Sequence, residues 1–125
     1  MTGARSEIER AAELLLKGGL VAFPTETVYG LGALACNDKA IGRVYVAKGR
    51  TGPNPLIAHV ASRADAAVFA DLDQRATALA ERFWPGPLTL VLPLKVPAAV
   101  SPVMTAGLAT VAVRVPAHPM ARALL

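Results

Sequence analysis

The chain has 125 residues, enough for one compact domain and too few for two. It is 54% hydrophobic, yet no apolar run approaches the ~18 residues of a membrane helix. Met1 to Arg10 carries Arg5, Glu7, Glu9 and Arg10 where a secretory leader needs an apolar core, so a soluble, cytoplasmic protein with no membrane partner is expected. The net charge of +4, from 13 scattered cations against 9 acidic residues, suits a phosphate-bearing partner without marking one. A single cysteine, Cys36, excludes an internal disulfide and any multi-cysteine metal site, and its expected role is a small, partly buried filler.

Ser6 followed by Glu9 has the pattern of a capping box. Ile8, Ala11, Ala12, Leu15 and Leu16 recur at helical spacing behind it, and Gly18-Gly19 supplies the stop. Leu20 to Phe23 reads as a short buried strand ended by Pro24. Asn37 is placed to cap a second helix whose apolar face is Ala40, Ile41, Val44 and Tyr45, with Lys48 at its end and Gly49 breaking it. Leu56 to Val60 is the next strand. Ser62 and Asp65 open a short helix, and Asp73 opens a longer one through Ala76, Leu79, Ala80 and Phe83. Trp84-Pro85-Gly86-Pro87 is a rigid turn before a strand at Leu88 to Leu92. Thr110 to Val115 alternates strictly, with Val111, Val113 and Val115 on one side and Thr110, Ala112 and Arg114 on the other. His118-Pro119 begins a last helix through Met120, Ala121, Leu124 and Leu125. Strands alternate with helices, which makes the class α/β with a mixed sheet.

Four places carry candidate chemistry. Pro24 to Gly32 gathers hydroxyls, the carboxylate of Glu26 and two glycines after a buried strand, where open α/β sheets bind ligands. A turn with locally bonded threonines explains the same residues equally well. Within it, Gly30 to Ala35 matches the dinucleotide pattern G-x-G-x-x-A, but it does not follow a strand directly and Pro55 stands where an acid is required. Lys48-Gly49-Arg50 places two cations at a helix end before a proline-stiffened loop to Pro55. A helix dipole accounts for Lys48 but not for Arg50 in a constrained turn beside Asn54. His59 lies among apolar residues, as a hydrogen-bonded core histidine does. Arg114 stands in a valine-rich strand, where it must pair with a carboxylate, reach solvent or hold an anionic ligand. Thr110 is on its face, roughly 13 Å away at ~3.3 Å per residue.

Phe23 to Gly32, Ala47 to Ile57 with Asn54-Pro55-Leu56, Pro85 to Leu92 and Thr110 to Pro119 together resemble the threonylcarbamoyl-AMP synthase (YrdC-like) family. That resemblance implies a twisted mixed β-sheet flanked by helices. It also implies an enzyme that makes threonylcarbamoyl-AMP and pyrophosphate from L-threonine, bicarbonate and ATP with Mg2+, for threonylcarbamoyladenosine modification of tRNA. On the same ground Thr27, His59 and Arg114 would line the threonine side, Arg114 facing its carboxylate. Arg50, Asn54 and Thr110 would contact ATP, and Lys48 would face the phosphates. Partners would be tRNA or double-stranded RNA and the tRNA threonylcarbamoyl-transfer machinery.

The family pairs its Lys-x-Arg with a later Ser-x-Asn, which this chain lacks: Ser6, Ser62 and Ser101 are its only serines. Residues 1–125 are therefore expected to be one incomplete YrdC-like domain, with the second half absent. Two other readings stay open beside the synthase. One is an RNA-binding module or inactive fragment, and the other is a carbamoyl-adenylate-forming module.

Overall fold

The structure, a computed structural model, describes residues 4–27, 29–49, 55–95 and 100–125. Helix α1 runs Ala4–Leu16, so its first turn starts ahead of the capping box expected at Ser6. It stops as expected: Gly18 takes φ +86°, and the amide of Gly19 returns to the Leu14 carbonyl at 2.7 Å. Only a residue without a Cβ adopts that conformation cheaply.

The next segment departs from expectation. Pro24 to Gly32 has the composition of a ligand-binding loop or a turn, yet Tyr29–Gly32 forms strand β2, paired antiparallel with β1 (Val21–Pro24). Pro24 sits inside β1, opposite Tyr29, rather than beyond it. This hairpin is a separate two-stranded sheet, so the single expected sheet is split in two. The glycines of the discarded dinucleotide pattern serve packing here. A Cβ on Gly32 would lie 2.7 Å from the Phe23 ring, well inside contact distance, so the ring can lie against β2 only because that position carries no side chain.

Helix α2 (Asp38–Ala47) begins where expected, with the Asn37 side chain accepting from the Ala40 amide at 3.0 Å, worth ~1 kcal/mol. Ala40, Ile41 and Val44 are its buried stripe. Burying Ile41 contributes on the order of 2 kcal/mol, and truncating it is the change most damaging to this helix. Ser62 and Asp73 likewise cap α3 (Arg63–Ala67) and α4 (Gln74–Phe83), each accepting from the amide three residues on. Cys36, in the turn before α2, is exposed rather than partly buried.

The second sheet has the order β3-β5-β4. Its centre is β5 (Thr110–Arg114), parallel to β3 (Ile57–His59) and antiparallel to β4 (Leu90–Pro93). Centrality follows from the side chains: Val111 and Val113 are fully buried, and Val115 just beyond is nearly so. Val111 and Val113 join Ile41, Ala58, Phe69, Leu90, Leu92 and Met104 in one apolar cluster. Helix α5 (Pro119–Leu124) packs on α1 and β1. Its cap is His118, whose Nδ1 accepts from the Met120 amide at 3.1 Å. Through α1 and α5 the hairpin is held beside the C-terminal end of β5, and that placement creates the site.

Candidate functional site

Arg114 ends the central strand, and its side chain is only 7% exposed. A guanidinium so placed cannot be deprotonated and has five N–H groups to satisfy. Nε donates to the Gly86 carbonyl at 3.0 Å. Nη1 donates to Thr27 Oγ1 at 3.0 Å. Nη2 lies 2.5 Å from Glu26 Oε1, an ion pair by distance although Nη2 makes no aligned hydrogen bond. Of the three fates open to Arg114 from the sequence, the chain supplies the first.

Each partner is held in turn. The other oxygen of Glu26, Oε2, accepts from the Ala117 amide at 2.8 Å. Partial burial alone would raise the Glu26 pKa, but backbone amides of Glu26 and Ala117, with the Arg114 charge, outweigh it and hold the carboxyl below its ordinary value. The hydroxyls of Thr25 and Thr27 are 3.0 Å apart. Since Thr27 Oγ1 accepts from Arg114, its own proton is directed elsewhere. Gly86 is fixed by its amide, which donates to the Val115 carbonyl at 2.8 Å. A Cβ there would fall 2.4 Å from the Phe83 carbonyl oxygen.

His59 joins from the neighbouring strand as the parallel register partner of Arg114. It is half-buried, with Nδ1 3.2 Å from the Ile57 carbonyl and the ring edge-on to Phe23 at 5.8 Å between centroids. Burial lowers its pKa, the Ile57 carbonyl opposes this, and the Arg114 charge lowers it further against the opposing Glu26. The ring is therefore neutral at pH 7, with Nδ1–H donating to Ile57 and Nε2 left as an acceptor.

Three of the expected positions, Thr27, His59 and Arg114, thus meet at the C-terminal end of β3 and β5. Thr110 lies at the opposite end of β5, half-buried beside Pro93. Lys48 is the exposed C-cap of α2, its amide bonded to the Val44 carbonyl at 3.1 Å. Arg50 and Asn54 lie outside the described residues. From the sequence Glu26 is only one member of the Pro24 to Gly32 stretch, and a carboxylate partner is one of three fates open to Arg114. Nine acidic residues were available, and only the hairpin's position selects this one.

Among the described residues, no group of three His, Cys, Asp or Glu converges as metal ligands. No helix among them is long and apolar enough to cross a membrane.

Comparison with known proteins assigns this arrangement to a family. Residues 13–125 match the Sua5/YciO/YrdC family, described as "Telomere recombination". The chain is 54% identical over 123 residues to the threonylcarbamoyl-AMP synthase of Bacillus subtilis, covering 95% of this chain and 34% of that protein. It superposes on the crystal structure of P. abyssi Sua5 complexed with L-threonine with a TM-score of 0.91 at 53% identity, covering 96% of this chain and 35% of that one. E. coli YciO, at 24% identity and a TM-score of 0.86, shares the fold, with 97% of this chain and 58% of that one covered. The chain spans about a third of the length of the first two relatives. On a match of this extent, over the hairpin and the central sheet alike, the chain belongs to the Sua5/YciO/YrdC family.

Proposed function

We propose that this chain supplies the L-threonine subsite of a threonylcarbamoyl-AMP synthase, with Arg114 taking the amino acid's carboxylate beside Thr27 and His59. The observation that carries this reading is the meeting of those three residues around a buried guanidinium. It is supported by the likeness to a Sua5 structure complexed with L-threonine. A guanidinium in a low-dielectric site recognises a carboxylate strongly. The hydroxyl of Thr27 and the neutral Nε2 of His59 are suited to orient the hydroxyl and amino groups of the same ligand.

In the reaction, the threonine amine displaces water from bicarbonate to give a carbamate, whose oxygen attacks the α-phosphate of ATP as pyrophosphate leaves. Both reactants are anionic, so the protein's task is to position them and to neutralise charge. Lys48 and Arg50 would face the phosphates, and Asn54 and Thr110 the nucleotide. Thr110, some four residues along β5 from Arg114, would set the nucleotide roughly 13 Å from the carboxylate anchor. The described residues offer no protein cage for a divalent ion. Magnesium would accompany ATP, held by phosphates and water. The product would be passed to tRNA-modifying partners in the cytoplasm.

Pyrophosphate release by the full-length protein tests the reading. It should require L-threonine, bicarbonate and ATP together, and Arg114→Lys should raise the KM for threonine about tenfold or more, because an ammonium cannot keep the Gly86 and Thr27 contacts and still reach the ligand. Release that proceeds without threonine would sink the proposal.

A further inference from the structure

We propose that Glu26 is a positioning residue of this site: it fixes the orientation of Arg114, and through Arg114 the hydroxyl of Thr27, for recognition of a ligand carboxylate. The inference rests on the reading of Arg114 as the threonine carboxylate's anchor, and goes beyond it by adding a residue that does not touch the ligand.

The geometry points to Glu26 for three reasons. Its two oxygens face opposite ways, one on Arg114 Nη2 at 2.5 Å and the other on the Ala117 amide at 2.8 Å. The carboxylate is thus a strut between the central sheet's guanidinium and the backbone that follows β5. Arg114 is also held at Nε by Gly86, so the Gly86 and Glu26 contacts on Nε and Nη2 define the plane of the guanidinium. What lies on the remaining edge is Nη1 with the Thr27 hydroxyl. With the Glu26 charge removed, Nε on Gly86 and Nη1 on Thr27 are left to hold a guanidinium that has lost its counter-charge and one of its three anchors. Finally, Glu26 neutralises Arg114 without occupying Nη1, leaving one of that nitrogen's two N–H groups for an incoming oxygen.

The test uses the full-length protein, with L-threonine and its carboxylate-free analogue L-threoninol as probes, and titration calorimetry as the readout. The wild type should prefer threonine over threoninol, and Arg114→Lys should erase that preference. Glu26→Gln, which keeps volume but not charge, should reduce the preference about tenfold, the scale of one charge-assisted hydrogen bond, while ATP affinity stays within about twofold. Glu26→Asp, charged but too short to span both partners, should behave alike and is the variant to read if Glu26→Gln does not fold.

The outcomes separate cleanly. A wild type indifferent to the carboxylate overturns the Arg114 reading, and this inference with it. A wild type with the preference, lost in Arg114→Lys but kept in a folded Glu26 variant, overturns the role of Glu26 alone. A variant that weakens threonine, threoninol and ATP equally shows a merely structural role and also overturns it.

Discussion

Among the described residues, two arginine–carboxylate pairs of nearly equal length do different things. Arg63–Glu81 is 2.7 Å long with side chains 44% and 63% exposed. Arg114–Glu26 is 2.5 Å long with side chains 7% and 24% exposed. The first joins α3 to α4 across solvent, where water and salt screen it and two long side chains lose entropy to hold it. In the second, the guanidinium has left water and depends on its fixed partners. Contact distance alone does not distinguish them; burial does. An exposed pair adjusts stability slightly, whereas a buried one constrains where a charge can be.

The largest expected effect tests that contrast directly. Glu26→Ala should cost about 2–3 kcal/mol in chemical denaturation, because the guanidinium it leaves without a counter-charge is buried although Glu26 itself is partly exposed. A loss below about 1 kcal/mol would mean that the two pairs are equivalent. Replacing both members, Glu26→Leu with Arg114→Met, should recover most of that loss while abolishing threonine binding. Recovery would show that the pair is kept for recognition rather than stability.

Gly86→Ala follows, at about 1–3 kcal/mol. Its Cβ would meet the Phe83 carbonyl, and relief of the clash shifts the carbonyl that holds Arg114 Nε. Thermal denaturation gives the loss, and a weaker threonine affinity should accompany it.

The pH dependence comes next. Glu26 has a folded pKa below its unfolded value, so its contribution is complete above the ordinary carboxylate range and disappears as pH falls through the folded pKa. His59 is likewise depressed, so its contribution is complete above pH ~6.5 and fades as the pH falls below that. Stability should therefore decline in two stages on acidification, and His59→Gln should remove the upper one in a denaturation series against pH.

The smallest effect is expected for Glu81→Ala, below about 1 kcal/mol and smaller still in high salt. A double-mutant cycle on each pair would put the comparison on one scale.

Much of the fold was legible because its signals are local. Asn37, Ser62 and Asp73 cap helices at the residues expected, since a side-chain acceptor three residues before an amide needs nothing from the rest of the chain. The alternation of Val111 and Val113 identified the central strand because burial on one face enforces a period of two. The hairpin was missed because β2 is Tyr-Gly-Leu-Gly, whose glycines read as a turn. They form a strand only because Phe23 and its neighbours cover them. Cys36 was misplaced for a similar reason: its apolar character says nothing about which side of a turn meets water.

The motifs resemble those of the YrdC-like family, and the sequence by itself determined that a helix ends at Lys48-Gly49 and that Arg114 must pair with a carboxylate, reach solvent or hold an anionic ligand. These follow from residue type, spacing and the cost of burying an unpaired charge. Only the tertiary structure decided which carboxylate answers Arg114. Glu26 is 88 positions away in the chain and reaches it because α1 and α5 seat the hairpin at the end of β5. Long-range pairing of this kind depends on the packed arrangement of several elements, and no local pattern encodes it.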